Sequence, residues 1–205
     1  MVAGSNPAGC TNSLPRLFIL YCAMNIVIFG PPGAGKGTQA EKISNQYCLS
    51  ILASGQLIRE EIASSSQLGL QIKEVVERGD LVPDELTNKL IKNRVETIDN
   101  GGFLFDGFPR TIGQATTLNE WLKEKGEKLS FAINLQVEDN ELVHRLLQRH
   151  RSDDSDEVLI RHRLEIYQTE TKHLIDFYRQ QGILVQIDGM GTIEEVFGRI
   201  IEKIS

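Results

Sequence analysis

The residue run with the densest chemical potential is Gly30-Pro31-Pro32-Gly33-Ala34-Gly35-Lys36-Gly37-Thr38, set between an apolar stretch at 25–29 and a helical pattern at 39–47. Glycines let the backbone turn its N–H groups inward with no Cβ in the way, and a helix N-terminus adds partial positive charge. A strand, a glycine-rich loop and a helix start in that order therefore form a cradle for a polyphosphate. Lys36 is placed to pair with β- and γ-phosphates, and the Thr38 hydroxyl can ligate Mg²⁺. The pattern GxxxxGK[ST] is met from Gly30 to Lys36, but Gly37 stands where the hydroxyl residue normally follows, so the threonine comes one place late. Asp106 ends the apolar run 103–105. Ligands of parallel sheets gather at strand C-termini, so its carboxylate completes a magnesium arrangement. Read alone Asp106 is a turn residue; its context, Gly107-Phe108-Pro109-Arg110-Thr111, favours the site.

A second constellation is cationic. Arg145 and Arg149 are four residues apart and share a helix face, Arg151 follows closely, and Arg163 lies on the next helical stretch with Tyr167 one turn on. The chain has 22 Lys+Arg against 28 Asp+Glu, a net charge of −6. Such a cluster on an acidic protein marks a local anion site, while the overall balance excludes a broad nucleic-acid-binding face. Asp153 and Asp154 orient arginines or cap the following helix, and Arg161 reads as a surface charge.

The elements that must hold these groups follow from the hydrophobic pattern. From Met24 onward short apolar runs alternate with longer amphipathic ones, which predicts βα units around a mostly parallel sheet. Strands are expected at 25–29, 103–105, 131–135 and 183–187, with a weaker one near 49–52 because Ser50 interrupts it. Gly101-Gly102 marks a sharp turn before the buried strand. The last helix repeats Ile193, Val196, Phe197, Ile200, Ile201 and Ile204 along one face. A helix carrying Leu164, Tyr167, Thr171, Leu174, Ile175 and Tyr178 reads as core packing of the same kind.

At 205 residues, 40% hydrophobic and 24% charged, the chain suits one sizeable core and excludes a tandem array of full domains. No apolar run approaches the ~20 residues needed to cross a bilayer. Cys10, Cys22 and Cys48 give neither a disulfide framework nor paired zinc ligands, so a reducing compartment is expected, with Cys48 as a small buried hydrophobe. Residues 1–23 lack helix or strand periodicity until Leu17 and carry one charge, Arg16, which fits neither a secretory nor a mitochondrial leader. The expectation is an N-terminal extension at 1–23 that is disordered or not native, with Met24 as the functional start and one domain at 24–205.

Together these motifs resemble the adenylate kinase family of nucleoside monophosphate kinases. GPPGAGKGTQA with its late threonine, LVPDEL at 81–86, DGFPRT at 106–111, RSDD at 151–154 and RLEIY at 163–167 all stand in the family's order. The resemblance covers nearly everything from Met24 to the C-terminus. It implies a P-loop NTPase-type α/β fold: a parallel five-stranded sheet flanked by helices, with a helical monophosphate-binding insertion at about 53–82 and a short lid at about 148–154. The implied activity is reversible phosphoryl transfer from MgATP to AMP, giving two ADP. By the same resemblance Gly33, Ala34, Gly35, Lys36, Gly37 and Thr38 would hold the ATP phosphates, Arg149 would contact ATP, and Gly191 would present backbone to its adenine. Ser54, Arg59, Asp80, Leu81, Val82, Gly107, Phe108, Pro109, Arg110 and Gln114 would form the AMP pocket, joined by Arg151 and Arg163. Lys36, Arg110, Arg145, Arg151 and Arg163 would carry catalysis, since phosphoryl transfer needs positioning and positive charge more than covalent chemistry. Thr38 and Asp106 would hold Mg²⁺, largely through water.

The residue chemistry agrees with these roles. Arg59 and Arg110 can fork onto a phosphate, and Gln114 offers the donor and acceptor needed to read an adenine edge. Some positions depart from the family pattern. Gln56 replaces an aspartate and weakens a helix cap, and Ser54 replaces threonine but keeps a hydroxyl. Only His150 separates Arg149 from Arg151, so no zinc-bearing lid fits and no structural zinc is expected. The stretch from Asp153 to Arg163 is one residue longer than usual; Leu164 and Tyr167 keep Arg163 in register. Two alternatives remain open: a UMP/CMP kinase, whose members resembling this chain tend to carry Ala and Asn where Ser54 and Gln114 stand, and a nucleotide-dependent binding or assembly factor. The expected setting is a cytoplasmic monomer acting on ATP, AMP and ADP, with no nucleic-acid or membrane partner.

Overall fold

The apolar runs become strands β1 (Asn25–Phe29), β2 (Ser50–Ala53), β3 (Phe103–Asp106), β4 (Leu129–Gln136) and β5 (Leu184–Asp188) in a computed structural model that describes residues 24–98, 101–148 and 156–205. They pair in the order β2-β3-β1-β4-β5, and every neighbouring pair is parallel. Helices α1 (Lys36–Tyr47), α2 (Ser54–Ala63), α3 (Gln67–Glu77), α4 (Asp84–Glu96), α5 (Ile112–Glu124), α6 (Asp139–Gln148), α7 (Glu157–Ile166), α8 (Leu174–Gln180) and α9 (Ile193–Ile204) complete the described residues. β1 is central and buried along its whole length. Alternate side chains must point to opposite faces, so Ile26 and Ile28 join Ile43, Leu142, Val196 and Ile200 under α1, α6 and α9. Val27 and Phe29 join Ile91, Leu118, Leu174 and Tyr178 under α4, α5 and α8. The chain is thus a three-layer α/β fold around a five-stranded parallel sheet.

Three local expectations need correction. The helix through residues 164–178 is not continuous: α7 ends at Ile166 and a π turn follows at Tyr167–Thr171, closed by the Lys172 N–H donating to the Tyr167 carbonyl at 2.9 Å. Thr169 supplies a reason, because its hydroxyl bonds back to the carbonyls of Glu165 and Ile166, both at 3.2 Å, and competes with the regular ladder. Cys48 is exposed rather than buried and takes the left-handed C-cap of α1 at φ 54°. Ile193, placed by periodicity on the packed face of α9, is 52% exposed at the first residue of the helix.

Between β2 and β3 the chain runs through α2, α3 and α4. α2 buries only Ser54, and α3 only Gly69 and Ile72. Gly69 is required there: a Cβ would collide with the Glu61 carbonyl, so the two helices can approach this closely only at glycine.

Candidate functional site

The site forms at the C-terminal ends of β1, β2 and β3. Gly33 and Gly35 hold φ of 85° and 86°, a left-handed conformation that glycine adopts without strain. Gly35 is the N-cap of α1, so the loop delivers its N–H groups straight into the positive end of the helix. α1 begins at Lys36, three residues before the sequence pattern places it, and this puts Lys36 in the first helical turn. Its Nζ folds back to donate to the carbonyls of Gly30 and Pro31, each at 2.9 Å. Asp106 pairs in register with Ile28 across β3 and β1. Its Oδ2 lies 3.6 Å from where a Cβ would stand at Gly37, while Thr38 is exposed on the same cleft. One hydroxyl and one carboxylate beside a phosphate cradle are hard oxygen donors, a set that fits Mg²⁺.

The opposite wall is built on Gly107, at φ 67°. Its carbonyl accepts from the Ser54 hydroxyl at 2.7 Å and from the Arg110 Nε at 2.9 Å, which fixes the guanidinium beside the start of α2. The Arg110 N–H donates to Gln114 Oε1 at 2.7 Å, and Gln114 Nε2 donates to Asp84 Oδ1 at 2.8 Å. Asp84 Oδ2 accepts from the Thr111 hydroxyl at 2.6 Å.

A single cleft of about 1660 Å³ joins these walls. That exceeds the roughly 300–1,000 Å³ of a typical one-ligand pocket and leaves room for two. Its lining brings together Gly33, Gly35, Lys36, Gly37 and Thr38 with Arg59, Leu81, Val82, Asp106, Gly107, Pro109, Arg110, Arg145 and Arg163. Seven Lys or Arg side chains face four carboxylates around it, in a chain of net charge −6. Arg145 is steadied by Glu141 Oε1 at 2.6 Å and reaches the Gly189 carbonyl at 3.4 Å, so it ties α6 to the turn after β5. Burial pushes the Tyr167 phenol up to about 12, and its hydroxyl donates to Asn134 Oδ1 at 3.4 Å. At neutral pH Tyr167 therefore meets the cleft as a neutral wall.

Other expected residues stand outside the lining. Ala34, Ser54 and Gln114 are buried behind it, with both ends of the Gln114 amide already committed. Phe108 is fully buried and stacks on Trp121 at 6.4 Å, which makes it core. Gly191, at φ 105°, is exposed in the turn beyond Gly189. Asp80 turns toward His162 and Arg78. Gln56 bonds Glu60 Oε1 at 2.8 Å, and α2 starts with no side-chain cap. Arg149, Arg151, Asp153 and Asp154, with most of the 148–154 lid, lie outside the described residues, as does the 1–23 extension.

Sequence reasoning missed Asp84, although it stands inside LVPDEL, because nothing local shows that it braces Thr111 and Gln114. It also missed the cleft-lining roles of Tyr167 and Thr171, whose helical spacing concealed the π turn, and of Lys73 and Arg94, which look like solvated helix charges.

A model of the family described as adenylate kinase matches residues 28–183. The chain belongs to the adenylate kinase family. An adenylate kinase of Parabacteroides distasonis is 46% identical over 187 residues, covering 89% of this chain and 98% of the relative. Adenylate kinases of Leifsonia xyli subsp. xyli and Thermobifida fusca are 47% and 42% identical, covering 88% of this chain in each case and 92% and 98% of the relatives. As an adenylate kinase family member the chain is an ATP-binding phosphotransferase. The matched span contains the phosphate loop, the Gly107–Arg110 wall and Arg163, and stops before Gly191.

Proposed function

We propose that the chain catalyses reversible transfer of the γ-phosphoryl group of MgATP to AMP, giving two ADP. One observation carries the reading: a phosphate loop and two arginine groups share a cleft large enough for two nucleotides. On the donor side the loop N–H groups of residues 33–38 and Lys36 hold the β- and γ-phosphates, with the adenine toward Gly191 and Arg149 on the phosphates. On the acceptor side Arg59 and Arg110 fork onto the AMP phosphate, and Leu81 and Val82 flank the nucleotide. Ser54, Gly107, Phe108, Pro109 and Gln114 frame that pocket, and Gln114 reads the base once its amide is released from Asp84. Arg145, Arg163 and Arg151 counter the negative charge spread over the moving group. Thr38 and Asp106 would hold Mg²⁺, largely through water, and the ion when bound would supply charge neutralisation on the phosphates. No side chain need form a covalent intermediate.

The insertion at 53–82 and the lid at 148–154 close over the substrates and exclude water that would hydrolyse ATP. The enzyme acts as a monomer; the exposed large hydrophobics among the described residues, Leu70, Ile112, Leu147, Val158 and Ile193, sit on five different helices. It works in the cytoplasm, where ATP and AMP occur together, with no nucleic-acid or membrane partner. No described helix is long and apolar enough to cross a membrane. The test is ADP formation from ATP with AMP, UMP or CMP in parallel. At least tenfold higher kcat/KM with AMP is expected; equal or higher values with either pyrimidine would overturn the assignment.

A further inference from the structure

The connection between α3 and α4 carries a contact that phosphoryl transfer does not use. The Asp80 carboxylate faces away from the cleft lining: Oδ1 is 3.1 Å from His162 Nε2 on α7, and Oδ2 accepts from Arg78 Nε at 3.1 Å. Gly79, at φ 80°, seats the same connection on α7. A Cβ there would stand 2.7 Å from Leu159 Cδ1 and 3.3 Å from both His162 Cδ2 and Arg163 Cγ. The backbone therefore lies flush against the helix at the point where the side chains join.

The neighbours on either side make this junction matter. Leu81 follows Asp80 and Arg163 follows His162, and both line the cleft. The other α7 charges turn elsewhere: Arg161 pairs with Glu157 at 2.6 Å and, with Glu165, lines a separate hollow against Asp139 of α6. The hydrogen bonds from His162 and then Arg78 hold the Asp80 carboxyl below its usual range. Both side chains are about two-fifths exposed, at 41% and 42%, so the pair adds little to global stability. Its effect is on position.

We propose that Asp80 and His162 form a positioning clasp that ties the α3–α4 connection to α7 and sets Leu81 and Val82 against Arg163, thereby tuning acceptor affinity. The inference rests on the reading of this part of the cleft as the AMP site. Neither residue is among those lining the cleft.

The experiment compares Asp80→Asn, His162→Gln, the double variant and His162→Lys with the full-length wild type, measuring KM for AMP, KM for ATP, kcat and thermal midpoint. Each single variant should raise KM for AMP about two- to fivefold, the range that an exposed pair can supply, with KM for ATP and the midpoint unchanged. The double variant should be no weaker than either single one, because both remove the same contact. His162→Lys keeps a donor within reach and should hold KM for AMP near the wild-type value. An unmoved KM for AMP, an equal rise for ATP, or additive single effects would overturn the clasp alone. A wild type that forms no ADP from ATP and AMP would overturn both the clasp and the AMP-site reading.

Discussion

At the donor end of the cleft the phosphate loop hangs between β1, buried at every residue, and β4, whose Leu135 carbonyl would stand 2.6 Å from any Cβ at Gly30. At the acceptor end α2 and α3 together bury Ser54, Gly69 and Ile72, and the wall is held by side-chain contacts such as Ser54 and Arg110 on Gly107. The difference follows from what each end must do. Stabilising charge on a moving phosphoryl group requires a fixed frame, which a doubly flanked strand and its loop supply. Admitting and enclosing a second nucleotide requires a part that opens at little cost, and sparse burial gives low local stability.

Removing a positive charge from either end, Lys36 in the fixed frame or Arg110 in the acceptor wall, is the most severe test. Lys36→Ala and Arg110→Ala should each lower kcat by roughly 10²–10³-fold or more, the scale of losing one preorganised donor, with the thermal midpoint moved by only a few degrees. Steady-state kinetics with thermal melts checks it, and near-normal turnover in either variant would sink the site assignment.

Core truncations sharpen the comparison next. Ile28 and Ile72 are both 0% exposed, one in the central strand and one in α3. Ile28→Ala should cost about 2–5 kcal/mol of global stability in urea melts. Ile72→Ala should instead loosen the insertion, raising KM for AMP and amide exchange in α2 and α3 while costing less than half as much globally. Equal global losses with unchanged KM for AMP would erase the distinction.

Asp84→Asn probes the bracing behind the acceptor wall. An amide puts a donor where one of the two accepting oxygens stands, so Thr111 or Gln114 loses its acceptor; KM for AMP should rise roughly tenfold, preference over CMP should fall, and KM for ATP should stay constant. A parallel rise for ATP would mean that the two ends are not separately built.

The smallest effect lies in the scaffold. Glu195 closes the capping box of α9, and the Thr192 backbone N–H and then its hydroxyl hold its carboxyl below the ordinary value of 4.5. Its folded value is lower than its unfolded one. The contribution is therefore complete above the unfolded value and is lost as pH falls through the folded one. Thr192→Ala should cost about 1 kcal/mol at neutral pH, a gap that narrows below pH 4.5 in paired melts. A gap constant with pH would separate the cap from Glu195.

Much of this was legible in the chain because the donor end is local. A strand, a loop and a helix start contiguous in sequence meet as one cradle, and the five strands follow from short apolar runs whose neighbours are all parallel. The acceptor wall was legible only in part, since it assembles residues 54, 84, 107, 110 and 114 through side-chain bonds that no spacing encodes. The Gln114 amide is held between Arg110 and Asp84, and Phe108 packs on Trp121, contacts between residues that no sequence spacing announces. Tyr167 was concealed by a hydrophobic stripe that fits an uninterrupted helix as well as it fits a π turn.

The most direct measurement is incubation of the protein with ADP and Mg²⁺ alone, followed by chromatographic separation of the nucleotides. ATP and AMP should appear together in equal amounts, because one cleft must hold two nucleotides for the reaction to run in this direction. Formation of AMP and phosphate without ATP, or no change in ADP, would contradict phosphoryl transfer between nucleotides in this cleft.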